Sequence, residues 1–294
     1  MASAAATAND QLVWLITGCA TGIGRELTLE ALGREDKVIA TARARSIAKL
    51  DDLKQRGAEV LELDVPAAPE VLNDVAKQAI AFYGRVDVVI NNAGYMMVGA
   101  IEESTAEETF AQFNTNVFCA VNVTRAFLPH WAMRARESGT IIWFGSIASW
   151  TALPGVGLYA ATKVVNRLLG ETLHNEISAL GLRSLVVEPG YFRTAFLADG
   201  NRGADVPRIG DYAQFMAPLR AHLEETNGKQ LGDPAKLVKT VADAVRGEGF
   251  AETKSVPSLY LGSDTVQAIR NACNETLQYL EQWENVFKST DFTE

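Results

Sequence analysis

The glycine-rich segment Thr17-Gly18-Cys19-Ala20-Thr21-Gly22-Ile23-Gly24 and the residues on either side of it predict the fold class of this chain. The apolar run 12–17 precedes and enters it, and a helical pattern starts near Gly22. A short apolar run of this length with β-branched residues is typical of a buried strand. A strand that passes through a glycine-rich turn into a helix predicts an α/β fold whose helix N–H groups bind the pyrophosphate of a dinucleotide.

The same alternation of short apolar runs and helical patterns continues to about residue 190. Further strands are predicted at residues 38–42, 60–63, 86–90, 140–144 and 184–187. Helices are predicted to start near Gly22, Ser46, Ala67, Thr105 and Gly155. Strands that alternate with helices form a parallel sheet covered on both faces. The fold class is therefore a doubly wound, Rossmann-like parallel sheet of about seven strands.

The alternation of short apolar runs with helical patterns ends after Gly190. Residues 191–230 contain several glycines, two prolines and scattered aromatic residues, which predicts a long excursion with short helices. A helix after Asp233, a strand at 258–261 and a C-terminal helix at about 264–287 complete the pattern. Because no linker-like composition interrupts the first 250 residues, we expect one domain over residues 1–294.

Composition excludes several classes of protein. A chain of 294 residues that is 48% hydrophobic can bury a full core. The net charge of −9, without a local cluster of Lys and Arg, argues against nucleic acid as a partner. Residues 1–10 lack the features of a secretory signal, and no apolar run reaches the roughly 18 residues that span a bilayer. Three scattered cysteines and three histidines predict no metal site. A cytoplasmic protein without a membrane partner is expected.

Tyr159 and Lys163 stand four residues apart in a predicted helix, so they share one face of it. A phenol titrates near pH ~10, and a nearby ammonium is expected to lower that pKa. Tyr159 then donates a proton to a carbonyl oxygen, or accepts one from an alcohol. Ser146, just after the strand at 140–144, is expected to hydrogen-bond the same oxygen.

Several segments in order resemble the short-chain dehydrogenase/reductase family over about residues 12 to 200. These are the TGxxxGxG turn at 17–24, Asn91-Asn92-Ala93-Gly94, Ser146 thirteen residues before Tyr159, the YxxxK pair Tyr159 and Lys163, and Pro189-Gly190 followed by Thr194. The resemblance implies an oxidoreductase that interconverts a carbonyl and a secondary alcohol, of class EC 1.1.1.-, with a nicotinamide dinucleotide as cofactor.

The resemblance also assigns site residues. Asn116 joins Ser146, Tyr159 and Lys163 as the fourth catalytic residue, which in the family helps to hold a water chain that reaches the lysine. Cys119 stands where the family usually has glycine. The implied cofactor contacts are Gly18, Cys19, Thr21, Gly22, Ile23, Gly24, Arg43, Asp64, Val65, Asn91, Ala93, Gly94, Tyr159, Lys163, Pro189, Gly190, Phe192 and Thr194.

The choice between NAD and NADP depends on the end of the second strand. Ala42 occupies the position where NAD-preferring relatives usually carry Asp, which would repel a 2′-phosphate. Arg43 can pair with that phosphate through its planar guanidinium, and Arg45 adds a weaker attraction. Thr21 stands where many NADP-dependent relatives have a basic residue, so a moderate preference for NADPH over NADH is expected. The alternative is that Arg43 only starts a solvated helix.

Large apolar side chains fall where the family builds its substrate wall. They are Met96, Met97, Trp150, Val156, Phe192 and Phe196. Such a wall suits a medium or large apolar ketone or alcohol, unless some of these side chains merely close the core. Residues 191–230 resemble the family's substrate lid. Family members are commonly homodimers or homotetramers through the helices that would hold Asn116 and Tyr159.

Two other functions compete with this hypothesis. A nucleotide-sugar epimerase or dehydratase of the extended branch also uses YxxxK, but it usually has a GxxGxxG turn and a larger C-terminal domain. A protein that senses dinucleotides without chemistry would have little reason to retain Ser146, Tyr159 and Lys163 together. The sequence favours the catalytic oxidoreductase over both.

Overall fold

One parallel sheet of seven strands organises the chain. The computed structural model describes residues 11–128, 138–198, 202–203, 207–253 and 256–292. The strands are β1 Val13–Ile16, β2 Lys37–Ala42, β3 Glu59–Glu62, β4 Val88–Asn91, β5 Thr140–Phe144, β6 Arg183–Pro189 and β7 Ser258–Leu261. Their order is β3-β2-β1-β4-β5-β6-β7, and every pair is parallel, which confirms the predicted doubly wound sheet. The order reverses between β1 and β4, and ligands of such sheets bind at that crevice.

The α-helices of the described residues are α1 Gly22–Gly33, α2 Asp51–Gln55, α3 Pro69–Tyr83, α4 Ala106–Phe113, α5 Cys119–Phe127, α6 Gly157–Ile177, α7 Ala213–Thr226, α8 Pro234–Arg246 and α9 Ser263–Lys288. Four helices, α1, α3, α4 and α6, begin within two residues of the predicted starts, whereas the first α-helix after the predicted start at Ser46 begins only at Asp51. A π-helical turn, Asn114–Phe118, joins α4 to α5. The remaining helical turns are 3₁₀ segments, of which Ala44–Leu50 and Ile147–Trp150 lie at the carboxyl ends of β2 and β5.

Two hydrophobic clusters cover the two faces of the sheet. Successive residues of a strand point to opposite faces. Trp14 and Ile16 of β1 therefore pack on one side with Leu27 of α1, while Val13 and Leu15 pack on the other. Each of these side chains is at most 2% exposed. Burial on both sides explains why the strands read as continuous apolar runs rather than as alternating patterns.

A third cluster lies over the carboxyl ends of the strands. Met216, Leu219 and Leu223 of α7 pack against Val156 and Tyr159. The segment 191–230 thus contributes a helix of 14 residues, Ala213–Thr226, that covers this end of the sheet. None of the helices in the described ranges combines the length and apolarity needed to cross a membrane.

Candidate active site

A cavity of about 640 Å³ opens at the carboxyl ends of the strands. It extends from the glycine turn after β1, past the ends of β4, β5 and β6, to Leu223 of α7. Tyr159 and Lys163 line its middle. The cavity thus occupies the crevice at which the strand order reverses, where the topology predicts a ligand.

The turn after β1 has the geometry of an anion site. Gly18 and Gly22 have φ angles of 76° and 61°, in the left-handed region that favours glycine. Helix α1 begins at Gly22, and the side chain of Thr21 at its N-cap makes no capping hydrogen bond. Because the first N–H groups of a helix lack intrahelical partners, they and the helix dipole fit the pyrophosphate of a dinucleotide.

Asn92 holds this turn against the end of β4. Its side-chain Nδ2 donates to the carbonyl oxygens of Thr17 at 2.8 Å and Gly18 at 3.2 Å. A Cβ atom on Gly24 would lie 2.4 Å from that same Nδ2, so only glycine fits there. The third glycine of the motif therefore serves the packing of α1 against β4, and the other two shape the surface that faces the cavity.

Helix α6 and the turn after β5 bring the predicted catalytic side chains together. Lys163 Nζ lies 5.6 Å from the centroid of the Tyr159 ring and donates to the carbonyl oxygen of Phe144 at 3.0 Å. Ser146 caps the 3₁₀ segment that follows it, where its Oγ accepts from the Ala148 N–H at 3.1 Å. All three predicted side chains are at least nine-tenths buried and line the cavity.

The expected direction of the Tyr159 pKa shift is wrong. Burial raises the pKa of Tyr159 to about 12, and the neighbouring Ser146 side chain only partly offsets this rise. The Lys163 ammonium does not reverse it: its Nζ donates to the Phe144 carbonyl oxygen, and burial lowers its own pKa to about 8. The arrangement holds a proton on Tyr159 at neutral pH, as a proton donor requires.

Asn116 lies in the π-helical turn behind Lys163. Its Nδ2 donates to the carbonyl oxygen of Tyr95 at 3.0 Å and to Thr162 Oγ1 at 3.1 Å, and its Oδ1 accepts from the Tyr95 N–H at 3.1 Å. A Cβ atom on Gly94 would lie 3.0 Å from that Oδ1 and 3.9 Å from Lys163 Nζ. Asn116 therefore ties the loop after β4 to α6, and its contribution to a water chain stays a prediction.

Three predicted cofactor contacts lie beneath the cavity wall instead of on it. Cys19 is fully buried, and its Sγ contacts the carbonyl oxygen of Ile16 at 3.1 Å. Gly24 faces Asn92, and Asn91 Nδ2 donates to Thr124 Oγ1 at 2.9 Å. Burial also raises the pKa of the Cys19 thiol to about 11, which makes it a poor nucleophile. The other predicted cofactor contacts all line the cavity.

The end of the cavity beside β2 is more basic than the sequence indicates. The predicted cofactor contacts Arg43 and Asp64 line it, and so does Arg45, which was predicted to add a weaker attraction. Ser46 and Lys49 line it as well. The segment Ala44–Leu50 is a 3₁₀ helix, in which three residues make one turn. Residues 43, 46 and 49 therefore share an edge, a register that the predicted helix start at residue 46 did not give.

Two predicted substrate contacts do not face the cavity. Trp150 turns away, so that its Nε1 donates to Glu188 Oε2 at 3.0 Å and its ring stacks on Arg167 at 4.6 Å. Met97 is buried, and its N–H donates to Gln112 Oε1 at 2.7 Å. Met96, Val156, Phe192 and Phe196 line the cavity as predicted. The sequence missed Tyr95, Leu153, Tyr191, Leu197, Leu223 and Gln230, which also line it.

A doubly wound sheet with a phosphate turn and a buried Ser-Tyr-Lys set defines a dinucleotide-binding oxidoreductase. The chain belongs to the short-chain dehydrogenase family, whose model, described as "short chain dehydrogenase", matches residues 12–204. The members of that family act on alcohols and carbonyls, and this chain is an oxidoreductase of that kind. The resemblance drawn from the motifs is thereby confirmed.

Three relatives illustrate the similarity. "Oxidoreductase BOA17" of Botryotinia fuckeliana is 29% identical over 92% of this chain and 96% of its own length. A 3-ketodihydrosphingosine reductase of Bacteroides thetaiotaomicron is 33% identical over 78% of this chain and 82% of its own. The crystal structure of a short-chain dehydrogenase from Streptomyces avermitilis is 35% identical, with a TM-score of 0.85, over 97% of this chain and 100% of that one.

Proposed function

We propose that this oxidoreductase is NADP(H)-dependent and interconverts a carbonyl and a secondary alcohol on a medium or large, mostly apolar small molecule. The observation that carries the proposal is the buried group of Ser146, Tyr159 and Lys163 at the middle of one elongated cavity. One end of that cavity is the glycine turn with its basic neighbours, and the other end is apolar. A dinucleotide suits the first end and a hydrophobic ketone the second.

Tyr159 is the general acid in carbonyl reduction. Its raised pKa keeps the phenol protonated, so the hydroxyl can hydrogen-bond a carbonyl oxygen and transfer its proton as negative charge develops there. Ser146 donates a second hydrogen bond to the same oxygen. Lys163, whose pKa is about 8, lies close enough to respond to the change of charge on Tyr159. The nicotinamide dinucleotide supplies the hydride when bound, and oxidation of the alcohol reverses these steps.

The preference for NADPH is supported by the charges at the end of β2. Enzymes of this family use NAD or NADP. Ala42 presents no carboxylate to a 2′-phosphate, while Arg43, Arg45 and Lys49 surround the cavity at that end. The double variant A42D/R43L adds a repulsive charge and removes an attractive one, so kcat/KM should shift toward NADH. A wild-type kcat/KM that is higher for NADH than for NADPH would contradict this part of the proposal.

The apolar end supports a hydrophobic substrate. Met96, Leu153, Val156, Phe196 and Leu223 provide its wall. The relative from Bacteroides thetaiotaomicron is named as a reductase of a ketone, which favours the same reaction here. A panel of NADPH-dependent assays with aromatic, steroid-like, polyketide-like and aliphatic ketones would identify the class of substrate.

Assembly as a homodimer or homotetramer completes the proposal. Phe110, Phe118, Val164 and Leu168, on the helices around Asn116 and Tyr159, are large apolar side chains that lie exposed in the single chain. Pairing of these helices between two copies would bury them. Light scattering of the purified protein measures this directly, and a monomer at all concentrations would contradict it.

The variant Y159F tests the catalytic role. It removes only the hydroxyl, so turnover of any accepted ketone should fall by about a thousandfold or more, while the Kd for NADPH stays within about twofold. Activity within tenfold of wild type would refute the role of Tyr159 as the acid. Binding of NADPH without turnover of any ketone by the wild type would favour a sensing protein, and activity on a nucleotide sugar would favour an epimerase.

A further inference from the structure

Gln230 is a buried polar residue that the chemistry above leaves unexplained. Its side chain lines the cavity, and the residue is only 2% exposed. Neither its Oε1 nor its Nε2 has a hydrogen-bond partner among the residues that the structure describes. Most buried side-chain polar atoms in proteins are paired, and an unpaired amide is costly to bury. An unpaired amide of this kind in a cavity wall indicates that a bound ligand supplies its hydrogen-bond partner.

The backbone of Gln230 is held firmly, whereas its amide is not. The carbonyl oxygen of Gln230 accepts from Arg193 Nε at 3.2 Å and Nη2 at 3.0 Å. Two residues on, Gly232 N–H donates to the Tyr191 carbonyl oxygen at 2.9 Å, and Arg193 N–H donates to the Gly232 carbonyl oxygen at 2.9 Å. The main chain thus fixes where the side chain starts, while both polar atoms of the amide stay without a partner among the described residues.

The position of Gln230 is where the two ends of the cavity meet. Its loop follows α7, whose Leu223 belongs to the apolar wall, and it pairs with Tyr191–Arg193, the segment directly after β6. Thr194, next along that segment, lies beside Gly22 of the phosphate turn. A ligand atom at Gln230 therefore sits between the dinucleotide end and the substrate end.

We propose that the Gln230 amide recognises a ligand group that both accepts and donates hydrogen bonds, as a carboxamide does. A primary amide offers one acceptor oxygen and two N–H donors, so it matches such a group with two hydrogen bonds side by side. Two sources supply this chemistry at the junction: the carboxamide of the nicotinamide ring and a polar substituent on an otherwise apolar substrate. The inference rests on the proposed function, because it takes the cavity to bind both molecules.

The variant Q230M tests the inference, since methionine keeps the length of glutamine and removes its hydrogen bonds. Q230L is the second variant, and L231A is the matched control, because Leu231 lies in the same loop but is 84% exposed. Binary titrations use NADP⁺ and its 3-acetylpyridine analogue, in which a methyl group replaces the amide nitrogen. Kinetic assays use an accepted apolar ketone and its derivative with one added hydroxyl group.

A role toward the cofactor predicts that Q230M weakens NADP⁺ binding by about five- to tenfold and the analogue by less, which corresponds to one or two lost hydrogen bonds. A role toward the substrate predicts unchanged titrations and a five- to tenfold loss of kcat/KM, by the same reasoning, for the hydroxylated ketone alone. Binding and turnover within twofold of wild type for all probes, or an equal loss for both ketones with unchanged binding, would overturn the inference. The titrations need no turnover, so failure to bind either dinucleotide would instead refute the proposed function.

Discussion

Replacing Lys163 with methionine is expected to stabilise the protein while it abolishes turnover. Lys163 is 7% exposed, and burial lowers its pKa from 10.5 to about 8. Its one hydrogen-bond acceptor in the described structure is the Phe144 carbonyl oxygen, which also accepts from Asn166 Nδ2 at 3.4 Å. Methionine keeps most of the aliphatic chain and carries no charge. The substitution therefore removes a buried ammonium that lowers the stability of the folded protein.

The magnitude follows from the difference in pKa between the folded and the unfolded lysine. Between about pH 8 and pH 10.5 the unfolded chain binds more protons than the native protein, so native stability rises with pH across that window. Below it the full penalty applies, about 3 kcal/mol at about pH 7, and it falls to roughly 1.5 kcal/mol at about pH 9.5. Loss of the hydrogen bond to Phe144 offsets about 1.5 kcal/mol. The net gain is then roughly 1–2 kcal/mol near pH 7 and close to zero near pH 9.5.

Thermal unfolding of wild type and K163M at the two pH values measures this gain. A chain of this size should melt about 4 °C or more higher as K163M near pH 7, and with little difference near pH 9.5. Lys77, whose side chain is 70% exposed, provides the control K77M, which makes the same chemical change at the surface and should shift the midpoint little. A K163M protein that melts below wild type near pH 7, or a difference that does not depend on pH, would refute the reasoning.

Three further predictions follow from the packing of the site. G24A places a Cβ atom 2.7 Å from the Gly18 carbonyl oxygen, so it should lower the free energy of unfolding in urea by about 1–3 kcal/mol. G33A is the control, because no described atom lies within 4 Å of its added Cβ, and equal urea midpoints for the two variants would contradict the prediction. Burial raises the pKa of Glu188, so the fold disfavours its charged form and native stability falls as pH rises through the range in which the carboxyl ionises. E188Q should therefore raise the urea midpoint at neutral pH and leave it unchanged near pH ~4, and a lower midpoint at neutral pH would show that the charge is stabilising. Part of the predicted lid, residues 199–201 and 204–206, lies outside the described residues. Its described residues, 191–198, 202–203 and 207–230, should gain hydrogen-exchange protection on formation of a ternary complex, and equal protection in both states would count against a lid.

Residue patterns within short stretches of the sequence were sufficient to predict the fold class. The run at 12–17, the glycine turn and the repeated change from apolar run to helical pattern specify a strand, a turn and a helix from neighbouring residues alone. Parallel strands need such helical crossovers, so the order of elements predicted the doubly wound sheet that the structure confirms. The Tyr159 and Lys163 pair followed in the same way, since a spacing of four residues places both side chains on one face of a helix.

The orientation of single side chains could not be predicted in this way. Trp150 stands between Ser146 and Tyr159 in the sequence, yet it turns toward Glu188 because that buried carboxylate offers its indole N–H a partner, and Glu188 is 38 residues away. Lys49 lines the cavity from the 3₁₀ segment Ala44–Leu50, which begins two residues before the predicted helix start at Ser46. The direction of the Trp150 side chain depends on a residue distant in sequence, so it is not encoded in a short window of residues.

Strands and helices along the chain, the phosphate turn and the Ser-Tyr-Lys set could all be predicted from short stretches of sequence, because each depends on residues that are close along the chain. The atoms that these residues contact follow from the tertiary fold. Burial among elements distant in sequence raises the pKa of Tyr159, which the spacing to Lys163 alone predicted to fall. The assembled interior also leaves the amide of Gln230 in the cavity wall without a partner among the residues that the structure describes. Desolvation and hydrogen-bond partners are properties of the assembled interior, so they appear only once the whole chain has folded.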